Sequence, residues 1–149
     1  MEKELLSKYR SDVIEKFINI ETIVNAIICQ YYFKKVVMNF FFDVLYDEYF
    51  SFGFKRKILE KIIKEPNRKK IDDLNRLSNI RNYFVHRNQE IVENKPEAKA
   101  IIPDPKNTRK GIDFEGLYRE LLIKEKEVTE YLADIFSKLG GVMENELPH

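Results

Sequence analysis

The chain has 149 residues, 44% hydrophobic and 34% charged, with five Gly, five Pro, one Cys and a net charge of +1. That balance fits one soluble globular domain able to bury roughly two-thirds of its unfolded surface, and it excludes collagenous and low-complexity chains. Cys29 is the only cysteine, and His86 and His149 are the only histidines. Disulfide frameworks, multi-cysteine metal sites and a His-rich centre within one chain are therefore excluded; catalysis is expected to be metal-independent and without a cofactor, in a reducing cytoplasm.

The N-terminus, MEKELLSKYRSD, is charged from residue 2 and shows no signal-peptide pattern. Residues 4 to 33 carry Ile14, Phe17, Val24, Ile28 and Tyr31 at three-and-four spacing, which predicts one long amphipathic helix. Glu21 falls on the same stripe. A buried carboxylate needs a cationic or hydrogen-bonding partner, so either Arg81 pairs with it or Glu21 sits partly exposed at the helix edge. The region Ile27 to Phe42 is the most apolar, but Lys34 and Lys35 divide it into charge-free runs of only 12 and 7 residues. A membrane span needs about 20, so no membrane partner is expected.

Residues 36 to 50, VVMNFFFDVLYDEYF, predict a second helical segment whose all-round apolarity suggests burial on two sides, against the core and against either a dimer partner or loops of the same chain. Ser51-Phe-Gly53 punctuates, Phe54 to Lys64 predicts a basic helix ending before Pro66, and PNRKK links onward. From Ile71 to Arg87, IDDLNRLSNIRNYFVHR, apolar residues again recur every three to four positions, with Asp72 and Asp73 near the predicted start and His86-Arg87 at the end. Periodicity then disappears over residues 88 to 112. There Ile91-Val92 and Ala100-Ile101-Ile102 flank Asn94-Lys-Pro96 as arms of a small predicted hairpin, in a loop placed to wall or cover His86. Asp113 is the expected cap of a last helix, Phe114 to Leu139, with Leu117, Leu121, Val128, Leu132, Ile135 and Leu139 inward and Gly140-Gly141 ending it. Residues 142 to 149 read as a flexible tail. The expected fold is a single all-α domain over residues 1 to 141, an up-and-down bundle of four to five helices with a long irregular loop before the last.

Charge is unevenly distributed. Residues 55 to 87 hold 11 Lys/Arg against 4 Asp/Glu, whereas residues 1 to 54 hold 6 against 8 and residues 88 to 149 hold 9 against 13. A local excess of +7 resembles a polyanion-binding face, with Lys55, Arg56, Lys57, Arg68, Lys69, Lys70, Arg76 and Arg87 as candidate RNA contacts. A solvated basic helix face would look the same.

The basic block contains Arg81-Asn82-x3-His86. Histidine suits proton transfer near neutrality, and arginine matches the oxygens of a phosphate. RNA brings its own nucleophile: a 2′-hydroxyl deprotonated by His86 would attack the adjacent phosphate while Arg81 stabilises the accumulating charge. In an α-helix Asn82 and His86 share a face, but Arg81 and His86 diverge by about 140°. A long arginine could swing round, or a second copy across a twofold axis could supply the complementary group. On a purely structural view His86 is a C-terminal helix cation, Arg81 an ion-pairing surface residue and Asn82 a solvent-facing one.

RNYFVH at the end of an amphipathic helix resembles the signature of the HEPN superfamily, in which Arg is followed after four to six residues by His, commonly with a polar residue directly after the Arg. Arg81, Asn82 and His86 match position by position, and the helix order over residues 8 to 139 is similar to the family's bundle. The resemblance implies a homodimer with paired motifs at a cleft and, in active members, metal-independent cleavage of RNA, often by a toxin or defence effector, with Arg81, Asn82 and His86 as catalytic residues. Toxins partnered by a nucleotidyltransferase antitoxin typically carry Tyr two residues after the His; Asn88 stands there, so that particular partnership is not carried over, although an antitoxin protein remains a candidate partner. The alternatives are a non-catalytic HEPN-like module that binds RNA, nucleotide or a partner protein, and a structural helical dimerisation protein.

Overall fold

The computed structural model describes residues 3–47, 50–87, 101–104 and 107–141, with backbone alone described at 86–87 and 101–112. Helix α1 (Lys3–Phe33) is followed by α2 (Met38–Phe40), which passes into a π-helical turn (Phe41–Leu45). Then come α3 (Phe52–Ile62), α4 (Arg68–Asn82) with its own π-helical turn (Tyr83–Arg87), strands β1 (Ile101–Asp104) and β2 (Asn107–Asp113), and α5 (Phe114–Lys138). Among the described residues, no helix is long and apolar enough to cross a membrane.

Side-chain pairings give the helix directions. Tyr9 stacks on Tyr118 at 4.1 Å between ring centroids near one end of the molecule, and Gln30 donates to the Leu139 carbonyl at 3.1 Å near the other, so α1 and α5 run parallel. Phe17 meets Phe52 and Glu21 meets Lys55, so α3 runs with α1. Tyr131 with Asn67, Glu127 with Lys70, Lys124 with Asp73 and Glu120 with Arg76 make α4 antiparallel to α5. Phe33 on Phe40 and Thr22 on Tyr46 bring α2 and its π turn back down α1. The result is the expected all-α up-and-down bundle.

Leu6, Val13, Phe17, Ile20, Val24, Ile27 and Ile28 are the buried apolar spine of α1. They form a seven-residue repeat, Val13, Ile20 and Ile27, beside the stripe expected from sequence. Tyr31 is correspondingly exposed and Ile14 only half-buried. Against this spine pack Leu59 of α3, Leu74, Leu77, Ile80 and Phe84 of α4 and its turn, and Leu121, Val128 and Leu132 of α5. Burying a single large side chain of this kind contributes roughly 1.5–3 kcal/mol.

Several boundaries differ from those expected. Residues 36 to 50 do not make a continuous helix. The first turn is preceded by Lys34 in the left-handed region (φ 62°) and by β-branched Val36-Val37, and Val37 supplies no side-chain cap. Among the described residues of this segment Phe41 and Leu45 are buried, while Met38, Phe42, Val44 and Tyr46 are exposed. Helix α3 starts at Phe52 rather than Phe54, because the Ser51 hydroxyl accepts from the Phe54 amide at 3.2 Å. Helix α4 starts at Arg68 rather than Ile71, with the Asn67 side chain accepting from the Lys70 amide at 3.3 Å. Asp73 therefore lies in the second turn rather than the first, buried against Lys124.

Within the irregular stretch a hairpin forms between described residues: Ile101 and Ile102 pair forwards, antiparallel, with Asp113 and Ile112. Ile91-Val92, Asn94-Lys-Pro96 and the tail 142–149 lie outside the described residues. Asp113 occupies the N-cap position of α5 but makes no side-chain capping bond, and Ile135 and Leu139 are half-buried beside the inward-facing Phe136. The helix closes as expected in a Schellman motif. Gly140 (φ 90°) donates to Ser137 at 2.9 Å, Gly141 donates to Phe136 at 2.9 Å, and the Phe136 ring packs where a Cβ on Gly141 would stand.

Candidate functional site

Near its N-terminal half α1 presents Ile14, Phe17, Ile18 and Glu21 to the last turn of α4, whose Arg81 and Asn82, with Val85 beyond, complete a groove of about 290 Å3. Phe17 forms its apolar floor and Arg81 its cation. The guanidinium lies 4.2 Å from the centroid of the Phe17 ring, within cation–π range. Its Nε and Nη2 donate to the Asn82 Oδ1 at 3.2 and 3.0 Å. Burial pushes the Arg81 pKa down and the Glu21 charge opposes that shift. Arginine keeps its charge in proteins, so Arg81 is a half-buried cation held by a neutral amide and an aromatic face.

Glu21 faces this groove but takes its ion partner elsewhere. Its Oε1 lies 2.6 Å from Lys55 Nζ; the Lys55 side chain is 1% exposed and that of Glu21 is 20%. The Lys55 ammonium also lies 5.4 Å from the Tyr46 ring centroid. Thr22 donates to the Ile18 carbonyl at 2.8 Å, which leaves Tyr46 as the donor in their 2.6 Å contact and fixes the ring over Lys55. The Arg81 partnership proposed for Glu21 from sequence is thus replaced by Lys55, with Arg81 acting on Glu21 only through the field.

Part of the expected basic face is paired within the fold. Lys55 is buried. Arg68 meets Glu60 at 2.9 Å, Lys69 lies 3.9 Å from Asp73 and 3.8 Å from Glu127, Lys70 lies 3.3 Å from Glu127, and Arg76 makes a bidentate pair with Glu120 at 2.9 and 3.0 Å. Lys69, Lys70 and Arg76 follow the α4–α5 seam, away from the groove. Arg56 is half-buried with its Nε unpartnered, Lys57 is exposed, and the Arg87 side chain lies outside the described residues. Within the +7 block, Lys69, Lys70 and Arg76 therefore find their carboxylates on α5.

His86 is the last residue but one of the α4 extension, and its side chain also lies outside the described residues. The backbone there revises the sequence expectation. Residues Tyr83–Arg87 form a π-helical turn, closed by bonds between residues five apart, so each residue in it rotates by less than 100°. Positions 81 and 86 are consequently separated by less than the α-helical angle. No residue-type pattern in RNYFVH announces that turn. Phe17, legible only as a core position, gains its second role as the platform of Arg81 from the crossing of α1 and α4.

No family model, curated protein or solved structure matches this chain.

Proposed function

We propose that the protein is an endoribonuclease of HEPN type that cleaves single-stranded RNA without a metal or cofactor, as a homodimer, in the role of a cytoplasmic toxin or defence effector held by an antitoxin protein. The observation that carries this is Arg81: a guanidinium fork set over Phe17, oriented by Asn82 and opposed by no carboxylate within ion-pairing distance among the described residues. Such a fork is ready for the oxygens of a phosphate. His86 takes the proton of the 2′-hydroxyl, whose oxygen forms a bond to phosphorus. Arg81 stabilises the extra negative charge, and the bond to the 5′ oxygen breaks as that oxygen gains a proton. The products are a 2′,3′-cyclic phosphate and a 5′-hydroxyl. Proton donation and acceptance need two groups, and each chain carries one motif histidine, so a second copy supplies the other. The lip of the groove offers a surface for it: Ile18 is exposed, Thr22 links its carbonyl to the Tyr46 hydroxyl, and exposed Phe42 stacks on Tyr46 at 5.9 Å.

The intramolecular pairing of Lys69, Lys70 and Arg76 supports a second function, a non-catalytic module whose groove takes a nucleotide or a short strand rather than a long polyanion track. Incubation of purified protein with single-stranded RNA in EDTA distinguishes the two. Cleavage to 2′,3′-cyclic ends, reduced about 10²- to 10⁴-fold in His86→Ala and about 10²- to 10³-fold in Arg81→Ala, is expected of the nuclease. Equal rates for wild type and His86→Ala would exclude it, and binding without cleavage would leave the module.

A further inference from the structure

We propose that Arg10 is a second phosphate-binding residue of this groove, holding a neighbouring phosphate of the strand whose scissile phosphate meets Arg81. The assignment rests on the groove's being a single-stranded RNA site. On α1, Arg10 stands four residues before Ile14 and seven before Phe17, on the stripe whose next members line the groove. Helices α1 and α4 run antiparallel, with Arg81 level with Phe17 and Val85 near Ile14. Arg10 is therefore at the end of the groove toward which the π-helical turn leads. At 1.5 Å per residue, it is about 10 Å along the α1 axis from the level of the Arg81 guanidinium.

The chemistry of Arg10 points the same way. Its Nε is buried and has no hydrogen-bond partner. The residues three and four positions away on its own helix are Leu6, Ser7, Val13 and Ile14, none of them anionic. Tyr9 and Asp12, its neighbours, are turned to Tyr118 of α5. Among the described residues, Arg56 is the other arginine with an unmet buried Nε; neither it nor Arg10 touches the groove lining itself, but Arg56 stands on α3, which contributes no lining residue, whereas α1 contributes four, the first of them one turn beyond Arg10. By contrast, Arg68, Arg76 and Arg119 each reach a carboxylate. A guanidinium donor removed from water and left without an acceptor is costly unless an anion completes it, and a phosphate of the strand is the acceptor that this groove would bring.

The test uses the full chain and a fluorescein-labelled 2′-O-methyl RNA 12-mer, which cannot be cleaved, with affinity followed by anisotropy as salt is varied. Each phosphate contact on a single strand contributes about 0.7 to the slope of log K against log salt. Arg10→Gln is expected to bind about five- to tenfold more weakly with a slope shallower by about 0.7, Arg10→Lys to restore the slope, and Arg119→Gln to match wild type. A second measurement uses a dinucleoside monophosphate, which has only the scissile phosphate; Arg10→Gln should cleave it at the wild-type rate while losing kcat/KM on longer RNA. An unchanged slope in Arg10→Gln, or equal loss on both substrates, overturns the assignment and leaves the nuclease intact. Wild-type binding without cleavage, with the slope change retained, removes the nuclease and keeps Arg10. If wild type binds no RNA, both fall.

Discussion

The two flanks of α4 treat cations from one basic stretch of sequence in opposite ways. Along the α5 flank, Lys70 and Arg76 meet Glu127 and Glu120 in an antiparallel ladder, with the exposed Lys69 also near Glu127, so the charge of Lys70 and Arg76 is spent on register between two helices. Along the α1 flank, Arg81 rests on an aromatic ring and an amide, and the nearby carboxylate, Glu21, is already taken by Lys55. A high local count of Lys and Arg therefore marks two different things. Where carboxylates recur at helical spacing on the facing element, cations are structural. Where the facing residues are Ile14, Phe17 and Ile18, a cation remains available to a ligand.

The Glu21–Lys55 pair is what keeps Arg81 unopposed, and breaking it has the largest expected effect on stability. Glu21→Ala strands an ammonium whose side chain is 1% exposed, and a loss of about 3 kcal/mol in urea unfolding is expected, at the low end for a buried pair because Glu21 is partly wet. Lys55→Met should cost less, about 1 kcal/mol, since it fills the same space and leaves a carboxylate that water reaches. Equal losses in the two variants would contradict the asymmetry.

The ladder should respond weakly. Arg76→Ala is expected to cost less than about 1 kcal/mol, because both partners are part-exposed, and to leave RNA affinity and its salt slope at the wild-type values. A slope loss in this variant equal to that of Arg81→Ala would mean that the α5 flank also binds the strand.

The effect confined to high pH belongs to the α1–α5 contact. The Tyr118 hydroxyl donates to Asp12, and that bond, with burial and the nearby charge adding to it, pushes the Tyr118 pKa up to about 12. Between the unfolded value near 10 and the folded value the native state binds the extra proton, so stability falls as pH rises through this window. Tyr118→Phe should flatten that fall without changing it at pH 7 to 9 by more than the one lost hydrogen bond. Alkaline denaturation of the two proteins, measured in parallel, checks the sign.

Much of the fold was legible because burial at helical spacing leaves a periodic record. The spans of α1 and α5, the amphipathic nature of α4 and the Gly140-Gly141 stop all follow from local patterns. The misread starts have local causes too. Ser51 and Asn67 are ordinary caps, yet the aromatic residue after one and the basic run after the other resemble linkers. The aromatic run at 38 to 46 was harder, since Phe and Tyr at successive positions carry no phase that separates an α-helix from a π turn.

Sequence by itself determined the helical class, the helices that carry the core and the presence of Arg81, Asn82 and His86 together at the end of one of them, because each of these depends on residues within a few positions of one another. Only the tertiary structure decided which cations stay free. Glu21 was within plausible reach of Arg81 and Lys55, and the helix crossings chose Lys55. The charge of residues 68 to 76 could all have faced solvent, and the antiparallel register of α4 on α5 instead set Lys70 on Glu127 and Arg76 on Glu120, 57 and 44 residues away. Coulomb energy depends on distance through space and on local water, and neither is written in the order of residues along the chain.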